Sequence, residues 1–213
     1  MLSLLNALLV LVFLLNLFLL GTSSIRTLIQ AAALQGVLLG VMPLIVHGHA
    51  NTATAIVAIA TVLVKGSLIP TMLLRALREA LLKREVEPLI GFMPSMLLGA
   101  LGSAAAMGLA SRLPLAPEHV HTLIVPAALS TVFTGFLLLV SRIKAITQAI
   151  GYLILENGIF IFGLLLIEAV PFLVELGVLL DLFVGIFVIS IIIHHINREF
   201  ASLDTRRLSA LKE

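Results

Sequence analysis

Long apolar segments constrain this chain more than any other feature. Seven of them follow one another, over residues 2–20, 25–46, 53–77, 90–110, 120–141, 145–168 and 172–194. A helix needs about 20 apolar residues to cross the roughly 30 Å hydrocarbon core of a bilayer. With 61% hydrophobic and 11% charged residues, the chain also has too little charge to cover a soluble domain of its 213 residues. The sequence therefore predicts an all-α integral membrane protein with about seven transmembrane helices, as one membrane domain over residues 1–213.

The basic residues are unequally divided between the connections. One set falls in the first, third and fifth connections and in the tail at residues 196–213: Arg26, Arg75, Arg78, Lys83, Arg84, Arg142, Lys144, Arg198, Arg206, Arg207 and Lys212. The remaining connections share one basic residue, Arg112. Because cytoplasmic loops carry the excess of Lys and Arg, we expect an outward N-terminus and a cytoplasmic C-terminus. The basic residues are scattered and aromatic residues are few, so no nucleic-acid partner is predicted.

Several kinds of active site are excluded or disfavoured by the residues present. The chain has no cysteine, which excludes thiolate-held clusters, disulfides and a cysteine nucleophile. No phosphate loop, Ser-His-Asp pattern or H-E-x-x-H motif occurs. Histidines in two connections (His47, His49, His119 and His121) are expected to be solvated, because loop histidines seldom converge as metal ligands. We expect no catalytic site, no metal site and no cofactor in this chain.

Small residues and a repeat suggest how the helices are arranged. In the segment at 90–110, small residues recur every four positions in two stripes, namely Ser95, Gly99 and Ser103, and Ala100, Ala104 and Gly108. Such spacing allows close helix packing, within this chain or onto a partner subunit. Residues 18–31 also match residues 136–149 at an offset of 118, including a Ser, a Gln and a basic residue. This predicts two parallel three-helix units, residues 1–77 and 120–195, joined by the Gly/Ala-rich helix.

Four ionisable residues lie well within the apolar segments, away from most segment ends: Lys65, Glu156, Glu175 and Asp181. Each charged group near the centre of a bilayer costs about 2.5–3.5 kcal/mol on insertion scales, and such groups commonly mark ion paths. At about 1.5 Å per residue, Lys65, Glu156 and Asp181 lie roughly 14–18 Å into their segments, near one level, whereas Glu175 lies near an outer end. This predicts an ion-translocation site at the midplane, with Asn157 and His194 as supporting residues.

Lys65 is followed by Gly66 and Pro70, which predicts an interrupted helix. Proline lacks a backbone donor and clashes with the carbonyl four residues earlier. Broken helices beside buried charges are typical of transporters. A structural ion pair between Lys65 and a carboxylate is an equally good reading of the same residues.

Two motifs carry a family resemblance. Residues 145–160 (AITQAIGYLILENGIF) and 174–185 (VELGVLLDLFVG), with the closing run at 191–200 (IIIHHINREF), resemble the E component of hydrogenase-4 and formate hydrogenlyase-type membrane complexes. The last three segments are similar, more distantly, to the K-type subunit of complex I and the C subunit of multisubunit cation/proton antiporters. Asp181, with Gly185 four residues later, matches the last helix of the complex I subunit. The glutamate of that subunit aligns with Leu153, one turn before Glu156.

The resemblance implies a non-catalytic subunit of a redox-driven, ion-translocating complex in a bacterial or archaeal cell (inner) membrane. Its partners would be antiporter-like membrane subunits, and its carboxylates would serve a proton or sodium path. Two alternatives remain open: a stand-alone ion transporter, and a structural scaffold whose buried charges only hold helices together.

Overall fold

A computed structural model of the protein describes residues 2–46, 52–79, 85–114 and 122–165. In that part of the chain all regular secondary structure is helical: α1 (Leu2–Gly21), α2 (Ile25–Val46), α3 (Thr52–Leu63), α4 (Ile69–Glu79), α5 (Phe92–Ala110), α6 (Ile124–Ser141) and α7 (Ala145–Gly163). Six helical segments are long and apolar enough to cross a membrane. The predicted all-α membrane class is therefore confirmed, and the seventh predicted segment, 172–194, lies outside the described residues.

A π-helical turn, Val64–Leu68, joins α3 to α4. In this turn the N–H of Ile69 donates to the carbonyl of Val64, five residues earlier. The wider turn comes directly before Pro70, whose ring cannot fit against the carbonyl of the preceding α-helical turn. The predicted third segment, 53–77, is thus one span with an interruption at its centre, where the sequence predicts one.

The helices pack around two apolar clusters. The turn-side cluster includes Leu19 on α1 and Ile154 on α7, and it lies toward the α1–α2 and α6–α7 turns. The far-side cluster includes Leu9 on α1 and Phe160 on α7. Both clusters draw on α1, α2, α6 and α7, so these four helices surround a common core.

Glycines lie in the α6–α7 interface, the most extensive contact between any two of the described helices. A Cβ at Gly135 would lie 2.6 Å from the Cα of Leu155, and one at Gly158 would lie 2.6 Å from the backbone nitrogen of Val132. Contacts this short leave no room for a side chain, so the two backbones touch at these positions. Close approach through small residues is the usual way for helices to gain packing energy in lipid, where the hydrophobic effect does not drive association.

The segment at residues 85–90 connects the two turns. The Val86 N–H donates to the Ser23 carbonyl (2.7 Å), and the Leu89 N–H donates to the Ser141 carbonyl (2.8 Å). Ser23 and Ser141 are related by the offset of 118 in the sequence match. The first, third and fifth connections therefore meet on one side of the bundle, which is the side that carries most of the basic residues within the described ranges.

Helix α5 packs by one of its two small-residue stripes. Ser95 and Gly99 are buried, and a Cβ at Gly99 would collide with Leu20. The Ser103 and Ser130 hydroxyls are 2.7 Å apart and join α5 to α6. The predicted packing within the chain is confirmed for this stripe. The second stripe, with Ala100, Ala104 and Gly108, is exposed in the described part of the protein.

Candidate functional site

A layer of polar side chains lies between the two apolar clusters. On α1, Asn16 falls between Val12 of the far-side cluster and Leu19 of the turn-side cluster. The same order holds on α2, α6 and α7, since each contributes at least one buried polar residue between members of the two clusters. Together with a lysine of the π-helical turn, these residues form what we call the polar layer: Asn16, Gln35, Lys65, Thr131 and Asn157.

The polar layer is one continuous chain of side-chain hydrogen bonds. Lys65 Nζ donates to Asn157 Oδ1 (3.2 Å), and Asn157 Nδ2 donates to Gln35 Oε1 (3.3 Å). Gln35 Nε2 donates to Asn16 Oδ1, and Asn16 Nδ2 donates to Thr131 Oγ1, both at 2.9 Å. Every link joins a different pair of helical segments. Each of the three amides both donates and accepts a hydrogen bond, as polar groups in a low-dielectric interior must.

Lys65 reaches the polar layer because of the π-helical turn and a glycine opposite it. A Cβ at Gly36 would lie 2.7 Å from Lys65 Cβ and 3.3 Å from the Lys65 carbonyl, so α2 touches the turn where the lysine leaves it. The Lys65 ammonium also lies 5.4 Å from the ring centroid of Phe160, within cation–π range. π-Helical turns occur frequently at functional sites.

A small cavity adjoins Lys65 and Asn157. It is otherwise lined by apolar side chains of α2, α4 and α7, including Pro70. The cavity has a volume of about 20 Å³. One water molecule needs about 10–15 Å³ on this measure, so the cavity has room for one water beside the ammonium group.

The structure places two of the four predicted ionisable site residues. Lys65 contacts Asn157, the neighbour of Glu156 on α7, so the predicted supporting residue is a direct partner of the lysine. Glu156 is 3% exposed. Glu175, Asp181 and His194 lie outside the described residues, so their predicted roles stay predictions. In the described ranges, no three His, Asp or Glu side chains converge as metal ligands.

Three members of the polar layer escaped the sequence analysis: Asn16, Gln35 and Thr131. Each is an uncharged polar residue within an apolar segment. The cost of burying an unpaired amide could have identified the two amides by the same argument that identified Lys65. An uncharged amide needs hydrogen-bond partners inside a membrane just as a charged group does.

Arg142 is a second buried cation, at the end of α6. Its side chain is 0% exposed and donates to the carbonyls of Leu20 (2.9 Å) and Ile90 (3.3 Å), with the Phe92 ring 5.2 Å away. Desolvation by burial lowers the pKa of the Arg142 guanidinium. Two backbone carbonyls and an aromatic face compensate part of that cost, and they fix the end of α1 against the segment before α5.

The chain is similar in sequence to two kinds of known protein. The uncharacterized protein Rv0085 of Mycobacterium tuberculosis (strain ATCC 25618 / H37Rv) is 31% identical to the chain over 192 residues, which cover 89% of this chain and 87% of that protein. The chain belongs to the Rv0085 family. This relationship spans most of the chain.

A second similarity is partial. Hydrogenase-4 component E of Escherichia coli (strain K12) is 34% identical to the chain over 85 residues, which cover 40% of this chain and 39% of that protein. The same identity and coverage hold for hydrogenase-4 component E of Shigella flexneri. This supports the resemblance drawn from the sequence, at the level of a distantly similar membrane protein. No model of a known protein family matches the chain, and no solved structure does.

Proposed function

We propose that the chain is a non-catalytic membrane subunit of a complex I-related, hydrogenase-4-type complex that couples redox chemistry in other subunits to ion movement. Lys65 and Glu156 contribute to a proton or sodium path, beside antiporter-like subunits in a cell inner membrane. Glu175 and Asp181, on the predicted seventh segment, belong to the same path. The partial similarity to hydrogenase-4 component E supports membership of such a complex.

The observation that carries the proposal is the contact between Lys65 and Asn157, 3.2 Å long, between the two apolar clusters. It brings a half-buried cation beside the helix turn that holds the buried Glu156 carboxyl. Lys65 lines a cavity with room for one water. Titratable groups at one depth in a membrane can exchange protons directly or through water. Neither group needs a bound cofactor for this exchange.

The test is proton pumping by inverted membrane vesicles that carry Glu156→Gln. We expect the initial rate to fall to below about a tenth of the unmodified rate, since an amide cannot accept and release a proton. Assembly of the complex is checked on native gels. The matched control is Glu87→Gln, the same substitution at a carboxylate whose side chain is 52% exposed and paired with Lys144. Normal pumping by an assembled Glu156→Gln complex would rule out a role for this carboxyl in the path.

A packing scaffold is the second candidate function. It is favoured by the closed hydrogen bonding of the polar layer, whose amides already use one another as partners. In a scaffold, Lys65→Met would reduce assembly on native gels, and the complexes that still form would pump at the normal rate per complex. In an ion path, Lys65→Met lowers the rate per assembled complex.

A further inference from the structure

We propose that Lys65 sets the direction of hydrogen bonding through the whole polar layer. Asn157, Gln35, Asn16 and Thr131 then act as one positioning unit, which transmits a change at Lys65 to the contact between α1 and α6. This inference goes beyond the proposed function, because it holds whether Lys65 carries ions or only anchors helices.

The argument starts from the chemistry of the lysine. An ammonium group has three donors and no acceptor, so the atom of Asn157 that faces it must be the carbonyl oxygen. The Asn157 amide nitrogen then faces Gln35, whose oxygen must accept. The same necessity turns the Gln35 nitrogen toward the oxygen of Asn16. One strict donor at the end therefore determines the orientation of all three amides.

Thr131 completes this direction at the far end. Its hydroxyl accepts from Asn16 Nδ2 (2.9 Å) and donates to the Ala127 carbonyl one turn earlier in α6 (2.7 Å). A hydroxyl rotates freely and can be donor or acceptor toward either neighbour. Thr131 thus fits either direction by rotation of its hydroxyl hydrogen alone.

A reversed direction keeps the three hydrogen bonds that link Asn157, Gln35, Asn16 and Thr131, and it becomes accessible once Lys65 no longer demands an acceptor. Each amide group rotates by about 180°, which exchanges its O and N positions at almost constant shape. Thr131 then donates to Asn16 Oδ1 and releases the Ala127 carbonyl, which the α6 backbone can still satisfy. The two arrangements differ in the hydrogen bonds of every helix in the polar layer, so the layer responds as a unit.

The test is a double-mutant cycle between Lys65→Met and Thr131→Val, which are four hydrogen bonds apart. The measurement is Tm, followed as heat-induced loss of the tagged full-length chain from detergent-solubilised membranes. Each single variant is expected to lower Tm. The double variant is expected to lower it by about 3 °C less than the sum of the two, because without Lys65 the amides can reorient around the missing hydroxyl.

Three controls separate transmission from a general loss of packing. In a Gln35→Leu background, which breaks the polar layer at its centre, the two effects should add. Thr131→Ser, which keeps the hydroxyl, should show no coupling to Lys65→Met, because no hydrogen-bonding group is lost at position 131. Thr147 is the matched site, a buried threonine of α7 that donates to the Lys144 carbonyl outside the polar layer, and Thr147→Val should add to Lys65→Met in full.

Two results would overturn the inference. One is simple additivity of Lys65→Met and Thr131→Val, and the other is a coupling that survives Gln35→Leu. If Thr131→Val prevents the chain from accumulating, Asn16→Leu replaces it at the far end of the polar layer. The same cycle, with the same Gln35→Leu and Thr147→Val controls, then decides the question. Proton pumping is measured in a separate experiment, so a negative pumping result would not change the interpretation of the Tm coupling.

Discussion

Arg142 shows at the scale of one residue how a cation can be structural in this chain. In the sequence, Arg142 is only one of the basic residues that indicate the orientation of the helices. In the structure its guanidinium is buried and reaches two carbonyls from different segments, Leu20 and Ile90. The planar guanidinium spreads its donors over a wide angle, whereas an ammonium is a point charge. Arg142 therefore helps to indicate the orientation of the helices in the sequence, and in the structure it also binds the end of α1 to the segment before α5.

Replacement of Arg142 by lysine is expected to destabilise the protein. A single ammonium cannot replace the two-carbonyl contact, so one buried carbonyl loses its donor, at a cost of about 1–3 kcal/mol. We expect a lower Tm for Arg142→Lys in detergent. Arg26→Lys is the matched control at an exposed arginine and should stay within about 0.5 kcal/mol. Equal Tm values for the two variants would show that the carbonyl contacts of Arg142 contribute nothing to stability.

Lys65 and Glu156 mark the limit of residue-scale reasoning from sequence. Their burial cost identified them, and the break at Pro70 predicted the irregular turn beside Lys65. In the structure Lys65 contacts the amide of Asn157, and an ion pair of Lys65 with a carboxylate stays a prediction. Sequence spacing cannot identify the partners of Lys65, because every candidate lies on another helix whose rotation is unknown.

At the scale of elements, the α6–α7 pair depends on two glycines that the sequence analysis passed over. It examined small-residue stripes in α5 only, yet the closest backbone contacts are at Gly135 and Gly158. These glycines face each other's helices because α6 and α7 run antiparallel after a short turn at Arg142 to Lys144. Gly151 of α7 adds a third close contact, since a Cβ there would lie 2.8 Å from the backbone nitrogen of Leu139. These glycines form no conspicuous pattern in the sequence, so only the packed structure reveals their role.

A methyl group at Gly135 should force α6 and α7 apart. Its nearest atoms would be the backbone N and Cα of Leu155, which cannot move aside as a flexible side chain can. We expect Gly135→Ala to lower the Tm and the yield of the full-length chain, with a cost of about 1–3 kcal/mol as for other overpacked positions. The measurement is heat-induced loss of the tagged chain from detergent-solubilised membranes.

Gly108→Ala on α5 is the control for this prediction. A Cβ there meets nothing within 4 Å, so the substitution should be neutral or slightly stabilising through higher helix propensity. If Gly135→Ala were as well tolerated as Gly108→Ala, the close contact of α6 and α7 would not exist in the folded protein.

For the whole molecule, the segment at residues 85–90 is the element that brings the odd-numbered connections together. It pairs with the α1–α2 turn at Ser24 and with the α6–α7 turn at Arg142. The two turns occupy corresponding positions in the sequence match at offset 118. The division into two three-helix units stays a prediction, since part of the second unit lies outside the described residues.

The absence of cysteine from the chain permits a direct test of its orientation. We expect Glu87→Cys, on the side where the odd-numbered connections meet, to react with a membrane-impermeant maleimide only in inverted vesicles. Arg112→Cys, just after α5 ends on the opposite side, should react only in intact cells with an exposed outer face. This follows from the basic residues on the side of Glu87. The opposite labelling pattern would place the N-terminus in the cytoplasm.

The sequence by itself determined the class of the protein, because lipid as a solvent imposes a requirement of about 20 apolar residues on each span. It also determined which charged residues are costly to bury, and where the third span is interrupted, since both follow from local chemistry. The tertiary structure alone decided which polar groups meet. Thr131 pairs with Asn16 across 115 positions and Gln35 with Asn157 across 122. Such pairings depend on how each helix is rotated, and that rotation is set by glycine contacts and core packing, which no local pattern encodes.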